Sequence, residues 1–262
     1  MWEFYFFYML IDTHAHIYLE DFSNDLEDVI KRAFANDIRK IILPNIDSSS
    51  VKKMLNLIDL YPRVCFPLIG LHPTSIGDDY EEELELVDFW LKKRKFYGIG
   101  EIGIDLYWDK TYIQEQTDAF RRQVRMAKNY NLPIAIHVRE SFDEVIAVIN
   151  EEIDDKLRGV FHSFSGTAEQ AQMIINHNFY IGINGIVTFK NSNLPEILQN
   201  IDPSHLLLET DSPYLTPIPY RGKRNESSYL VYVAQKVAGI YQLPVTDIIR
   251  ITTENAENLF HI

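Results

Sequence analysis

Histidine and carboxylate side chains recur along this chain at spacings that suit a metal ion. His14 and His16 form an H-x-H pair in an apolar run. Residues two apart on an extended strand share a face, so both imidazoles can reach one ion. Glu101, in GEIGID, and Asp211, in LLLETDSP, put carboxylates in apolar surroundings. An unpaired charge is costly there, and a metal or a fixed cation relieves it. His137 and His162 add two more imidazoles, and His72 stands apart as a seventh candidate. Each histidine taken singly also fits a structural, hydrogen-bonded role; together, four histidines and two carboxylates point to metal. Mixed imidazole and carboxylate donors suit Zn, Mn or Fe, whereas Mg prefers oxygen. One catalytic ion takes three protein ligands and keeps a position open. The supply here fits two ions about 3.5–4 Å apart, with Glu101 as the bridging carboxylate.

These side chains need a scaffold that brings them to one place. Apolar, β-rich runs occupy residues 9–16, 40–46, 65–72, 97–104, 133–138, 159–164, 179–187 and 206–210. Between them lie helical patterns at 25–36, 49–60, 82–93, 113–130, 142–152 and 168–177, and two more follow at 229–241 and 245–260. Nearly continuous apolar strands alternating with helices predict a parallel sheet covered on both faces, an α/β (β/α)8 TIM barrel. An open doubly wound sheet has the same alternation. The candidate donors decide for the barrel, because they fall at or just after the carboxyl ends of their runs. In a barrel those ends converge on one mouth, where active sites occur.

The remaining composition sets limits. The 262 residues suit one barrel, with 46% hydrophobic and 24% charged residues. The formal charge of −13 argues against a broad basic surface that coats nucleic acid, but not against local grip on a few phosphates. The single cysteine, Cys65, excludes an intramolecular disulfide and reads as a small core residue. A reducing, cytoplasmic setting is expected. Residues 1–8, MWEFYFFY, are too short to span a bilayer and lack the marks of a signal peptide. They are expected to be an appendage to a single domain at 9–262, and no membrane or obligate protein partner is expected.

The motifs, in order and spacing from residue 9 onward, resemble the TatD family of metal-dependent nucleases within the amidohydrolase-type barrels. They are IDTHAH at 11–16, GLHP at 70–73, GEIGID at 100–105, PIAIHVRE at 133–140, FHSFSG at 161–166, ETDSPYL at 209–215 and RGKRNE at 221–226. Two positions depart from the usual family pattern: Ser163 stands where many relatives carry Cys, and Ser227 where Pro commonly follows the last motif. The resemblance implies that His14, His16, Glu101 and Asp211 hold one ion, and that Glu101, His137 and His162 hold the other. It implies that His72 faces the reacting phosphate or the attacking water. Asp105, Glu209 and Arg139 are implied to orient ligands or contact phosphate, with structural salt bridges as the alternative.

The activity implied is cleavage of DNA phosphodiesters at single strands or strand ends, by water activated on two divalent ions such as Mg, Mn or Zn. Asp211 would accept the water's proton, assisted or replaced by His72. Lys190, Arg221, Lys223 and Arg224 are candidates for phosphate contact; a solvated loop is the alternative. Tyr107 and Trp108 could stack on a base or simply pack the loop. The acidic balance predicts few phosphate contacts and a shallow salt dependence. Two rivals stand beside this reading: a binuclear hydrolase of esters, lactones, amides or aminoacyl-tRNA, and a non-catalytic metal-binding barrel. Fold alone does not choose among substrates.

Overall fold

The computed structural model describes residues 9–262. The appendage expected at 1–8 lies outside the described residues.

Eight strands alternate with helices in the predicted order. They are β1 (Leu10–Asp12), α1 (Leu26–Ala35), β2 (Ile38–Leu43), α2 (Ser48–Leu60), β3 (Cys65–Pro67), α3 (Tyr80–Lys93), β4 (Ile99–Asp105) and α4 (Ile113–Tyr130). There follow β5 (Ile134–Arg139), α5 (Phe142–Glu152), β6 (Gly159–Phe161), α6 (Ala168–Asn176), β7 (Tyr180–Ile183), α7 (Leu194–Leu198), β8 (Leu206–Leu208), α8 (Leu230–Tyr241) and α9 (Val245–Phe260). All pairings between neighbouring strands are parallel. The ladder runs as two arcs, β1–β2–β3 and β4–β5–β6–β7–β8. Single bridges, Ile69 with Ile99 and Ala15 with Ser212, close the arcs into a ring. This is the (β/α)8 barrel expected from the sequence.

The period-two alternation of strands sorts the core. Leu10, Ile41, Leu43, Cys65, Ile134 and Ile136 belong to a large cluster shared with the helices. Their neighbours Ile11, Ile42, Phe66, Ala135, Val160 and Leu207 form a second cluster, which Ala256, Leu259 and Phe260 of α9 join. The last helix therefore packs on residues from strands all round the ring. Fully burying each such Leu, Ile or Phe contributes roughly 1.5–3 kcal/mol. Cys65 is buried, and burial pushes its thiol up to about 12, in keeping with a core role. Helix starts follow local chemistry: Asp47 with Ser50, and Thr167 with Gln170, form capping boxes at α2 and α6.

Two differences from the sequence reading matter for the site. The strands stop earlier than their apolar runs: β1 ends at Asp12, β3 at Pro67 and β6 at Phe161. The chain leaves the ladder there and turns its polar side chains toward the mouth, so His14, His16, His72 and His162 lie just beyond strand ends. The short α7, with a proline in its first turn, has too few residues to leave a helical period in the sequence.

Candidate metal centre

Glu101 sits at the middle of the site, almost fully buried. Its strand is irregular where it lies, since the β4–β5 register shifts between Ile99 and Ile102. Such irregularities re-aim a side chain. Asn45 holds this segment: the Glu101 N–H donates to the Asn45 carbonyl, and the Asn45 N–H donates to the Gly100 carbonyl, each at 3.0 Å.

The two carboxylate oxygens of Glu101 face different partners. Oε2 lies 3.0 Å from His14 Nε2 and 3.5 Å from His16 Nε2. Oε1 lies 2.6 Å from His162 Nε2, 2.8 Å from His137 Nδ1 and 3.2 Å from His72 Nε2. Asp211 Oδ1 is 3.8 Å from both His14 Nε2 and His16 Nε2. Asp211 follows β8 with φ +54, a left-handed conformation that Asp tolerates better than most residues. Its N–H donates to the His14 carbonyl at 2.8 Å.

For three of the rings the surroundings fix which nitrogen carries hydrogen. The Tyr18 hydroxyl donates to the Pro44 carbonyl at 2.7 Å, so at 3.0 Å it accepts from His16 Nδ1–H. His16 Nε2 is left with a lone pair toward the site. His137 Nε2–H donates to Asp105 Oδ2 at 2.8 Å, which leaves the Nδ1 lone pair facing the Glu101 carboxylate. His72 is the opposite case. Its Nδ1 accepts from the Thr74 backbone N–H at 3.1 Å, so its Nε2 carries hydrogen and donates toward Glu101. Distance alone would group His72 with Glu101 and His137 as donors. The tautomer argues instead for a hydrogen-bond donor, and this is the stronger consideration because the backbone amide has no alternative polarity.

This arrangement fits a cation. Imidazole and carboxylate lone pairs meet at hydrogen-bond distance, which is repulsive unless protons or metal ions lie between them. Three donor groups have ligand atoms within 4.8 Å of one another: His14, His16 and Glu101; His14, His162 and Asp211; His72, Glu101 and His137. His14 Nδ1 and His162 Nδ1 have no hydrogen-bond partner among the described residues. Without metal, the electrostatics show the same shortage of positive charge. Burial raises the Glu101 carboxyl, but the imidazoles of His162, His72 and His14 outweigh it and hold the group well below the usual range. Burial lowers His162, yet Glu101 and Glu209 override it and push the ring well above its ordinary value. Burial lifts Asp211 to about 7, with Glu101 and Glu209 adding to the rise against His162 and His16.

A cavity of 640 Å³ opens above the cluster, lined by His16, His72, Glu101, His137, His162 and Asp211 among others. Asp105 and Arg139 also line it. The other sequence candidates are placed differently. Glu209 is fully buried, accepting from Ser163 N–H at 2.6 Å and lying 3.6 Å from His162 Nδ1. Gly182 makes room for it, since a Cβ there would stand 2.4 Å from Glu209 Oε2. Arg221 stacks on Phe189 and donates to the Thr216 carbonyl, and Lys223 lies over Tyr220. Arg224 is paired with Asp25, and Lys190 is exposed. None of these four lines the cavity.

Sequence reasoning missed the groups that hold the donors in place. Besides Tyr18, Asn45 and Thr74, Asp12 accepts from Thr210 N–H at 2.9 Å and Thr210 Oγ1–H at 2.7 Å, tying β1 to the segment that carries Asp211. Burial lifts Asp12 to about 6 despite these hydrogen bonds. The one available signal was spacing: Asp12, at the end of β1, and Tyr18, in the turn after His16, each stand two residues from a candidate ligand.

A parallel barrel with a buried imidazole–carboxylate cluster at the carboxyl ends of its strands belongs to the metal-dependent hydrolases. Comparison with known proteins narrows this class. The family described as TatD related DNase matches residues 11–261, and the chain belongs to that family. It is 41% identical over 255 residues to the metal-dependent hydrolase YabD of Bacillus subtilis, covering 97% of this chain and 100% of that protein. It is 30% identical over 258 residues to the metal-dependent hydrolase YcfH of Escherichia coli, covering 97% and 96%. The crystal structure of YjjV, a TatD homologue from Escherichia coli, superimposes with a TM-score of 0.91 at 28% identity, covering 97% of this chain and 98% of the other. The protein is a metal-dependent hydrolase acting on ester bonds. No helix among the described residues is long and apolar enough to cross a membrane.

Proposed function

We propose that this hydrolase cleaves phosphodiester bonds of DNA, acting as an exonuclease on single strands or strand ends with two divalent cations, Mg, Mn or Zn. The observation that carries the reading is the division of Glu101, whose two oxygens face two separate donor sets beneath one cavity. His14, His16, Glu101 and Asp211 would hold one ion; Glu101, His137 and His162 would hold the other. Ions so placed would supply Lewis acidity at phosphoryl oxygens and a more acidic water. The description of the matched family motivates DNA as the substrate.

The chain's own groups have distinct tasks. Asp211 lines the cavity beside the donor cluster, within reach of a water there, and takes the proton of the attacking water. His72 keeps hydrogen on Nε2 and donates it toward a phosphate oxygen. Arg139 makes no ion pair among the described residues and supplies positive charge at the cavity. With one such cation there, phosphate contacts are few and the salt dependence is shallow; a slope matching six or more released counterions would contradict this.

The test is hydrolysis of end-labelled single-stranded DNA by metal-stripped protein titrated with Mg, Mn or Zn, beside an Asp211→Asn variant. Metal-dependent shortening that vanishes in the variant is expected, and the ladder identifies the end attacked. No cleavage with any metal, from protein that binds about two ions, would overturn the reading in favour of a carboxylic ester or amide substrate.

A further inference from the structure

Trp108 is 70% exposed, the most exposed tryptophan among the described residues, and it lines the same cavity as the metal donors. Its neighbour Tyr107 does not line the cavity. The Arg139 guanidinium covers the Tyr107 ring at 3.8 Å from the centroid, and lies 5.2 Å from the Trp108 ring. The two adjacent aromatics thus divide their work: Tyr107 supports a cation and Trp108 presents an indole to the opening.

The backbone that carries this indole is tied to the metal donors. Asp105 Oδ1 accepts from the backbone N–H of Tyr107 at 3.0 Å and of Trp108 at 3.4 Å. Its other oxygen, Oδ2, accepts from His137 Nε2–H at 2.8 Å. One buried carboxylate therefore clamps both a candidate ligand and the loop that carries the indole. Across the ring, four strands away, Tyr214 follows β8; it is 56% exposed and lines the cavity too. Aromatic faces thus border the opening from two sides, with Arg139 beside one of them.

We infer that Trp108 is the stacking platform for one unpaired nucleobase, placed so that the phosphate attached to that nucleotide meets Arg139 and the metal donors. The inference rests on the nucleic-acid reading above and specifies it. Stacking needs an open π-face, which a base in the interior of a duplex lacks, so the occupant is a nucleotide of a single strand or at a strand end. Every base has such a face, so the platform is tolerant of sequence.

The experiment compares wild type, Trp108→Ala and Trp108→Phe, each loaded with Mn. The probe is a phosphorothioate single strand carrying either a base or an abasic residue at one end, tested at each end in turn. Equilibrium binding is read by fluorescence anisotropy, and kcat and KM are measured on the unmodified strand. Trp108→Ala should weaken binding of the base-bearing strand about tenfold and raise KM more than it lowers kcat, with Trp108→Phe recovering most of the loss. The abasic strand should bind wild type weakly and be indifferent to the substitution. Equal binding of both strands by wild type, or no loss in Trp108→Ala, overturns the platform while leaving nucleolytic activity intact. A wild-type protein that neither binds nor cleaves the strand overturns the nucleic-acid reading itself, and the platform with it.

Discussion

The barrel mouth and the loop after β8 both gather charged side chains, and they dispose of them differently. In the loop, Arg224 and Glu226 are matched within the protein, while Arg221 and Lys223 lie over aromatic rings. Arg224 donates to both oxygens of Asp25 at 2.8 Å, and Arg32 donates to both oxygens of Glu226 at 2.7 and 2.6 Å. At the mouth, seven imidazole and carboxylate side chains converge, and the charge partners of Glu101 and Asp211 among the described residues are imidazoles alone, with no lysine or arginine. A charge cluster with built-in partners is architecture; one that lacks countercharge is a binding site. The RGKR run and the histidines look equally functional in the sequence; the fold separates them, since none of the run's three cations lines the cavity.

The largest test of this contrast is Glu101→Gln. It removes the one negative charge common to both donor sets while preserving shape, and it should abolish stoichiometric metal binding and lower kcat/KM on the order of 10³-fold. Metal content by elemental analysis together with hydrolysis rates checks it; near-normal metal content would mean that the cluster is not organised around Glu101. A smaller effect is expected from Tyr18→Phe, which removes the acceptor of His16 Nδ1–H together with the donor to the Pro44 carbonyl. Groups that orient a ligand in this way typically change metal affinity 10–100-fold, and competition with a chelator should show a loss of about tenfold at the lower end of that range. An unchanged affinity would show that His16 needs no such partner.

The smallest effect belongs to the loop. The hydrogen bond from Arg224, with Arg32 adding to it against a modest burial penalty, holds Asp25 down to about 2. A depressed carboxyl contributes stability that is present above its usual value of 3.8 and is lost as the pH falls through about 2. Asp25→Asn should therefore flatten the acid limb of the stability curve between those values and leave hydrolysis at neutral pH unchanged. Urea unfolding across that range reads the first outcome. A fall in hydrolysis would place the loop within the active machinery and dissolve the contrast.

The sequence made some of this legible and hid the rest for physical reasons. The barrel and its donors could be read because burial on both faces leaves long apolar runs, against which a polar residue near a run's end stands out. His14, Glu101, His137 and Asp211 were visible in that way. The runs overstated the strands, since residues such as Leu68 and Ile69 stay buried after regular pairing ends at Pro67. The partner of Arg224 was hidden because Asp25 lies 199 residues away. Thr74 was hidden because its backbone amide, not its side chain, fixes the His72 tautomer. Trp108 showed as an aromatic beside Tyr107, but nothing in the letters told which of the two would face the opening.

The closing of the ring at single bridges has a consequence for the order in which a ribosome delivers this protein. The first arc supplies His14, His16 and, just beyond it, His72, whereas Glu101, His137, His162 and Asp211 belong to the second. The first arc alone holds no full set of donors, and the second holds only that of Glu101, His137 and His162. Asp211, made well after His14, completes the mouth only when its backbone N–H meets the His14 carbonyl. A chain synthesised short of Asp211 therefore lacks a complete mouth, because the contact that brings Asp211 to His14 cannot yet form.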